Sequence, residues 1–134
     1  MKLYMLDTDT SSYIIKNRPE SVRRRLAQVK PEQLCISIIT YAELLYGVER
    51  SSSQQVNHEI VMDFVRRLLV QTWDEAAAEV YAKLRADLER VGQPIRGMDM
   101  QIAAHALSLQ AILVTNNTRH FERVSGLVLE NWVE

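Results

Sequence analysis

Short unbroken apolar runs alternate along this chain with longer stretches whose apolar positions recur at helical spacing. Leu3–Leu6 predicts a buried strand, Leu34–Ser37 a second, Val70–Trp73 a third and Ala111–Thr115 a fourth, with Leu127–Leu129 as one more. Helices are predicted over Ser11–Lys16, Pro19–Val29 and Ile38–Glu49, the second opening at a favoured proline position and the third behind Ser37 as N-cap. Gln54–Leu69 carries a wide apolar stripe through Val56, Ile60, Val61, Phe64, Val65 and Leu68. Asp74 caps a further helix with the stripe Ala77, Val80, Tyr81, Leu84, Leu88 and Val91, closed by Gly92. Ser51–Ser53 and Gln93–Met98 read as loops, and Asp99–Gln110 as the last helix. Apolar strands separated by helices predict an α/β fold of three layers, α/β/α, around a short central parallel sheet. In such folds, sites gather beyond the carboxyl ends of the strands.

Three acidic residues break this pattern. Asp7 ends the run Leu3–Leu6, Glu43 interrupts the apolar stretch Ile38–Tyr46, and Asp99 opens Met100–Ala104. Carboxylates rarely stand beside apolar interiors unless they are paired or hold a metal, and no lysine or arginine is placed to match all three. Each has a plain alternative: Asp7 and Asp99 as helix N-caps, Glu43 as a half-exposed helix residue beside a helix-packing glycine. Gly47, one turn after Glu43, costs roughly 0.5–1 kcal/mol relative to alanine inside a helix, and room for a substrate backbone would account for it. Thr115 and Asn117 follow the fourth predicted strand, where Asn117 also suits a turn. His58, His105 and His120 lack zinc spacing with one another or with Cys35, and read as structural or surface groups.

A carboxylate cluster suits hard Mg²⁺, with Mn²⁺ as a substitute, and supports metal-assisted hydrolysis of a phosphodiester. No phosphate-binding glycine loop, nucleophile elbow or Cys/His pair competes with it. At 134 residues the chain is expected to form one domain, 1–134. A net charge of −1 argues against a protein that coats nucleic acid, although twelve of the sixteen basic residues are arginines, and Arg23-Arg24-Arg25 forms either a phosphate-binding patch or the solvated side of a helix. The single cysteine excludes an internal disulfide and, with no secretory pattern or membrane-length apolar stretch, points to a cytoplasmic protein with no membrane partner.

Four segments, in order, resemble the PIN domain, specifically the VapC-type toxins of toxin–antitoxin pairs: Met5–Thr8, Ile36–Gly47, Gly92–Ala106, and Ala111–Asn117 with Phe121. The resemblance implies a Mg²⁺-dependent endoribonuclease, usually a homodimer, held silent by a cognate antitoxin. It places Asp7, Glu43 and Asp99 at the family's acidic positions and makes them the expected catalytic and metal-binding residues. Relatives of this subgroup cut the anticodon stem-loop of initiator tRNA, which makes tRNA the expected substrate. Two departures stand out: Asp9 replaces a common asparagine, and a fourth acid of many PIN domains is Asn117 here, leaving Asn117 and Thr115 to orient water.

Two other classes are less well matched. Asp7–Thr10 resembles the nucleophile motif of haloacid-dehalogenase-type phosphatases, but those need a lysine and further aspartates after the motif threonine, here Thr115. The last lysine is Lys83 and the last aspartate Asp99. A non-catalytic module would use the acids as caps and the wide stripes to bind a partner helix; unlike an enzyme, it would gain no thermal stability from Mg²⁺ or Mn²⁺.

Overall fold

The computed structural model describes residues 1–95 and 97–134. Arg96, inside the expected loop 93–98 and the third PIN-like segment, lies outside the described residues. In chain order the elements are β1 (Tyr4–Leu6), α1 (Thr8–Lys16), α2 (Glu20–Leu26), a 3₁₀ turn (Pro31–Gln33), β2 (Leu34–Ser37), α3 (Ile38–Arg50), α4 (Gln54–Val65), β3 (Leu69–Gln71), α5 (Glu75–Arg90), α6 (Gly97–Ser108), β4 (Ile112–Val114), α7 (Thr118–Phe121) and β5 (Leu129–Glu130).

All four strand pairings are parallel and the sheet order is β3-β2-β1-β4-β5. Because side chains alternate across a strand, each central strand feeds both layers. Met5, Cys35 and Leu113 face a core completed by Leu84, Leu88, Met100, Ile102, Ala103 and Ala104 from α5 and α6. Tyr4, Leu6, Leu34, Ile36, Ile112 and Val114 face the other core, with Val22, Leu44, Val48 and Val61 from α2, α3 and α4. The three-layer expectation is met. Cys35 is buried in the first core, and burial pushes its thiol up to about 12, so it acts as a small apolar side chain.

Several local features differ from expectation. α1 begins at Thr8 rather than Ser11, because Asp7 itself is the cap: its carboxylate accepts from the Thr10 amide at 2.8 Å. α4 stops at Val65, four residues early. Leu68, Leu69 and Val70 fit either period, and pairing with β2 draws Leu69–Gln71 into the edge strand. α6 begins at Gly97, placing Asp99 inside the first turn. The short α7 has no apolar period to announce it. Gly92, by contrast, closes α5 as expected, with φ +68° just beyond the C-cap Val91.

Among the described residues no helix is long and apolar enough to cross a membrane.

Candidate active site

The sheet order makes β1 and β4 neighbours whose chain connections run to opposite sides, so a crevice opens at their carboxyl ends. Asp7 and Thr8 follow β1, Thr115–Asn117 follow β4, and α3 rises from the end of β2. These segments and α6 enclose a cleft of about 210 Å³ lined by Asp7, Thr8, Asp9, Glu43, Asp99, Asn117 and Phe121. The three acids singled out by sequence therefore share one wall, although 36 and 56 positions separate Glu43 from Asp7 and from Asp99 (43 − 7 and 99 − 43). Among the described residues, none that lines the cleft is lysine or arginine.

Asp7 is buried, at 6% exposure. Burial raises its pKa from the ordinary 3.8 to about 6, and the negative charge of Asp9 adds to that. The Thr10 amide is its formed hydrogen bond; the side chains of Thr115 and Thr10 also favour the anion without closing one. Asp99 is half-exposed, and its pKa is raised by burial and by Asp9, against the opposing influence of His120. The His120 ring stands 3.5 Å from the Asp99 carboxylate. Glu43 accepts a hydrogen bond from the Thr8 hydroxyl, which in turn sits 3.3 Å from the hydroxyl of buried Thr40. A hydroxyl has one proton, so Thr8 donates to Glu43 and accepts from Thr40. This short chain ties α1 to α3 and holds Glu43 toward the cleft.

Thr115 is fully buried behind the cleft wall; its oxygen accepts from the Asn117 amide at 3.0 Å. It acts on the cleft through Asp7 and Asn117 rather than facing it. Asn117 occupies the N-cap position of α7, but its side chain makes no capping bond and instead lines the cleft.

Sequence reasoning underweighted Asp9 and His120. Asp9, noted as a departure, lines the same cleft and presses on both Asp7 and Asp99. Its spacing from Asp7, two residues on within the first helical turn, was the available signal. His120 carried no signal, because its contact with Asp99 exists only once α7 lies beside α6.

The arrangement suits a divalent cation in its donor chemistry: four carboxylates supply hard oxygen ligands, and burial and mutual repulsion raise the cost of leaving Asp7 and Asp99 ionised without a counter-charge. Among the described residues, no three acidic, histidine or cysteine side chains are drawn tightly enough to hold an ion unaided. A wide wall of this kind suits Mg²⁺, which keeps several waters and takes further ligands from substrate phosphate.

Gly47 does not clear space against a neighbour inside the molecule: a Cβ there would meet nothing within 4 Å. Gly47→Ala is expected to stabilise the protein by about 0.5–1 kcal/mol in thermal or denaturant unfolding. A simultaneous loss of cleavage rate would show that substrate uses the space; unchanged cleavage would leave the glycine without that explanation.

The PIN-domain family model matches residues 4–127, so the chain belongs to the PIN-domain family. PIN-domain nucleases generally work with divalent metal ions. Across 98% of its length this chain is 45% identical to the tRNA(fMet)-specific endonuclease VapC of Shigella flexneri and 42% identical to that of Salmonella typhimurium, covering 99% of each. Among solved structures it is similar to DNA-bound VapBC from Salmonella typhimurium, with a TM-score of 0.93 at 42% identity over 98% of this chain and 99% of that one. VapBC2 from Rickettsia felis, bound to a DNA fragment from its promoter, gives a TM-score of 0.90 at 36% identity, covering 97% and 98%. Within the family the chain is an endoribonuclease of the VapC kind.

Proposed function

We propose that the chain is a Mg²⁺-dependent endoribonuclease toxin that cuts tRNA, with initiator tRNA as its target, and that a cognate antitoxin silences it. The observation that carries the catalytic reading is the convergence of Asp7, Glu43 and Asp99 on one cleft. The near-full-length similarity to tRNA(fMet)-specific VapC endonucleases supports the substrate. Similarity to VapBC complexes supports an antitoxin partner. Residues 1–134 act as one nuclease unit in this reading and work as a homodimer in the cytoplasm.

Asp7, Glu43 and Asp99 would hold the cation, with Mn²⁺ able to replace Mg²⁺. Bound there, the ion supplies a hydrolytic nucleophile at neutral pH and neutralises charge building on the phosphodiester. The chain's own residues do the rest. Thr8 holds the Glu43 carboxylate in its bonded rotamer, the Thr10 amide orients Asp7, and Asn117 offers a neutral donor and acceptor to place water or a phosphate oxygen. Phe121, at 1% exposure, closes the cleft floor against bulk water.

The arginine patch divides in the structure. Arg25 is taken up internally: it pairs with Glu130 at 3.1 Å and lies 5.5 Å from the ring centres of both Tyr4 and Trp132. Changing all three arginines would confuse folding with binding. Arg23→Glu with Arg24→Glu, leaving Arg25 intact, is expected to weaken tRNA binding in a salt-dependent way; equal affinity at low and high salt would remove α2 from the RNA interface.

The deciding experiment incubates the purified chain with total tRNA in Mg²⁺ or EDTA and maps the cut ends. One major cleavage in initiator tRNA, abolished by EDTA, is the expected result. Cleavage that persists in EDTA defeats the mechanism, and scattered cuts across tRNAs defeat the substrate assignment.

A further inference from the structure

α6 delivers Asp99 to the cleft, yet much of its buried face carries no directional information. Ile102, Ala103, Ala104 and Ala106 are fully buried aliphatic groups, and apolar burial of this kind is non-directional. Two polar contacts interrupt that face. The Trp73 indole donates to the Gln101 carbonyl at 3.0 Å, tying α6 to the segment that leads into α5. His105, at 1% exposure, places Nδ1 2.7 Å from the Ser37 hydroxyl. Ser37 is itself fully buried and sits where β2 turns into α3, the helix that carries Thr40 and Glu43.

Ser37 Oγ accepts from the Ile39 amide at 3.0 Å as the α3 N-cap and keeps its proton and a second lone pair for His105 Nδ1, the direction of that bond following the imidazole tautomer. Burial lowers the His105 pKa and favours the neutral ring. Nε2 closes no hydrogen bond, while the Thr72 backbone at the end of β3 acts on the ring from nearby. His105 therefore makes the directional contact between α6 and the junction that starts α3.

We propose that His105 is a positioning residue: its hydrogen bond to Ser37 sets the register of α6 against α3 and thereby the placement of Asp99 relative to Glu43. Six residues of helix, about 9 Å, separate His105 from Asp99, and a helix transmits an axial shift undiminished over that length. This rests on the nuclease reading for its consequence in catalysis. Its structural content, a cleft whose cation affinity depends on a buried bond remote from the lining, can be tested without RNA.

The test compares His105→Leu, His105→Asn, Ser37→Ala and the double variant His105→Leu/Ser37→Ala at a temperature well below every Tm. Two readouts are taken: kcat and KM for RNA cleavage, and Mn²⁺ affinity by calorimetry without RNA. His105→Leu should lower kcat and Mn²⁺ affinity by about 10- to 100-fold, the usual loss when a group that orients metal ligands is removed, with KM for RNA unchanged. Asparagine places an amide group near the Nδ1 position, able to donate or accept, and should recover most of both. On the Ser37→Ala background, His105→Leu should cost almost nothing more, because the bond is already gone.

A His105→Leu protein with the parent kcat and Mn²⁺ affinity overturns the proposal. So does a full-sized His105→Leu effect on the Ser37→Ala background, which would assign the loss to packing. If His105→Leu fails to fold, Ser37→Ala carries the test: it should reproduce the losses, and parent values in that variant overturn the idea. If the parent chain cuts no RNA, the nuclease reading fails instead, and the Mn²⁺ affinities still decide the positioning role.

Discussion

Asp7→Asn is expected to lose RNA cleavage entirely while making the metal-free protein more stable at neutral pH. The activity loss follows from removing a carboxylate that lines the cleft at the end of the central strand. The stability gain follows from its raised pKa. A carboxyl that titrates at about 6 when folded and at 3.8 ordinarily favours its protonated form in the native state. Below about pH 4 both states carry the proton and the site costs nothing; as pH rises through 6 the native state must hold a buried anion, and stability falls. A shift from 3.8 to about 6 corresponds to at most about 3 kcal/mol. Asparagine keeps the cap to the Thr10 amide and avoids the charge. In EDTA the variant should therefore melt several degrees above the parent at pH 7.5 and level with it near pH 4. Equal melting temperatures at pH 7.5 would show that Asp7 carries no such burden.

Asp99→Asn is expected to reduce cleavage by more than about 100-fold, beyond the 10- to 100-fold typical of removing a residue that merely orients a ligand. The fold should survive, because Asp99 sits half-exposed in the first turn of α6 and its partner is the His120 ring at 3.5 Å. Metal linkage provides a second reading. Mg²⁺ at 100 times its Kd stabilises the parent by about 2.7 kcal/mol, and the melting temperature should rise accordingly. In Asp99→Asn that rise should shrink or vanish. A variant that melts normally, gains the same stability from Mg²⁺ and cuts RNA at the parent rate would take Asp99 out of the site. Glu43→Gln should follow the same pattern, and the bond from Thr8 should keep its side chain in place.

The balance between the two acids is instructive. Asp7 is enclosed and pre-oriented by the backbone of α1; Asp99 arrives on a separate helix and is partly solvated. A cleft assembled from such different supports can fail in different ways. Loss of Asp7 removes a rigid group, whereas any slip of α6 displaces Asp99 without touching its chemistry. Asp9 adds charge that neither support was built around, and it opposes ionisation of both neighbours.

Much of this was legible in the chain itself. Strands such as Tyr4–Leu6 and Ile112–Val114 are buried on both faces, so their apolar runs stand out without alternation. Asp7, Glu43 and Asp99 were conspicuous because a charge beside an apolar run contradicts its surroundings, and that contradiction is local information. Boundaries were less legible. The end of α4 turned on whether Leu69 would pair with Cys35, a partner 34 positions away (69 − 35), and no local preference settles such a choice. Whether Gly47 faces a neighbour or open space was likewise decided only by how α3 settles on the molecule.

What the sequence determined by itself was the inventory: which segments must be buried, which period each follows, and which carboxylates lack an ordinary reason to be where they are. Tertiary structure alone decided proximity. It set Asp9 against both Asp7 and Asp99, brought His120 to Asp99, placed Thr115 behind the cleft rather than in it, and joined His105 to Ser37 across 68 positions. The physical reason is that burial and periodicity are encoded residue by residue. A Coulomb interaction or a hydrogen bond between distant segments depends instead on a few ångströms of separation that only the packed sheet and helices establish.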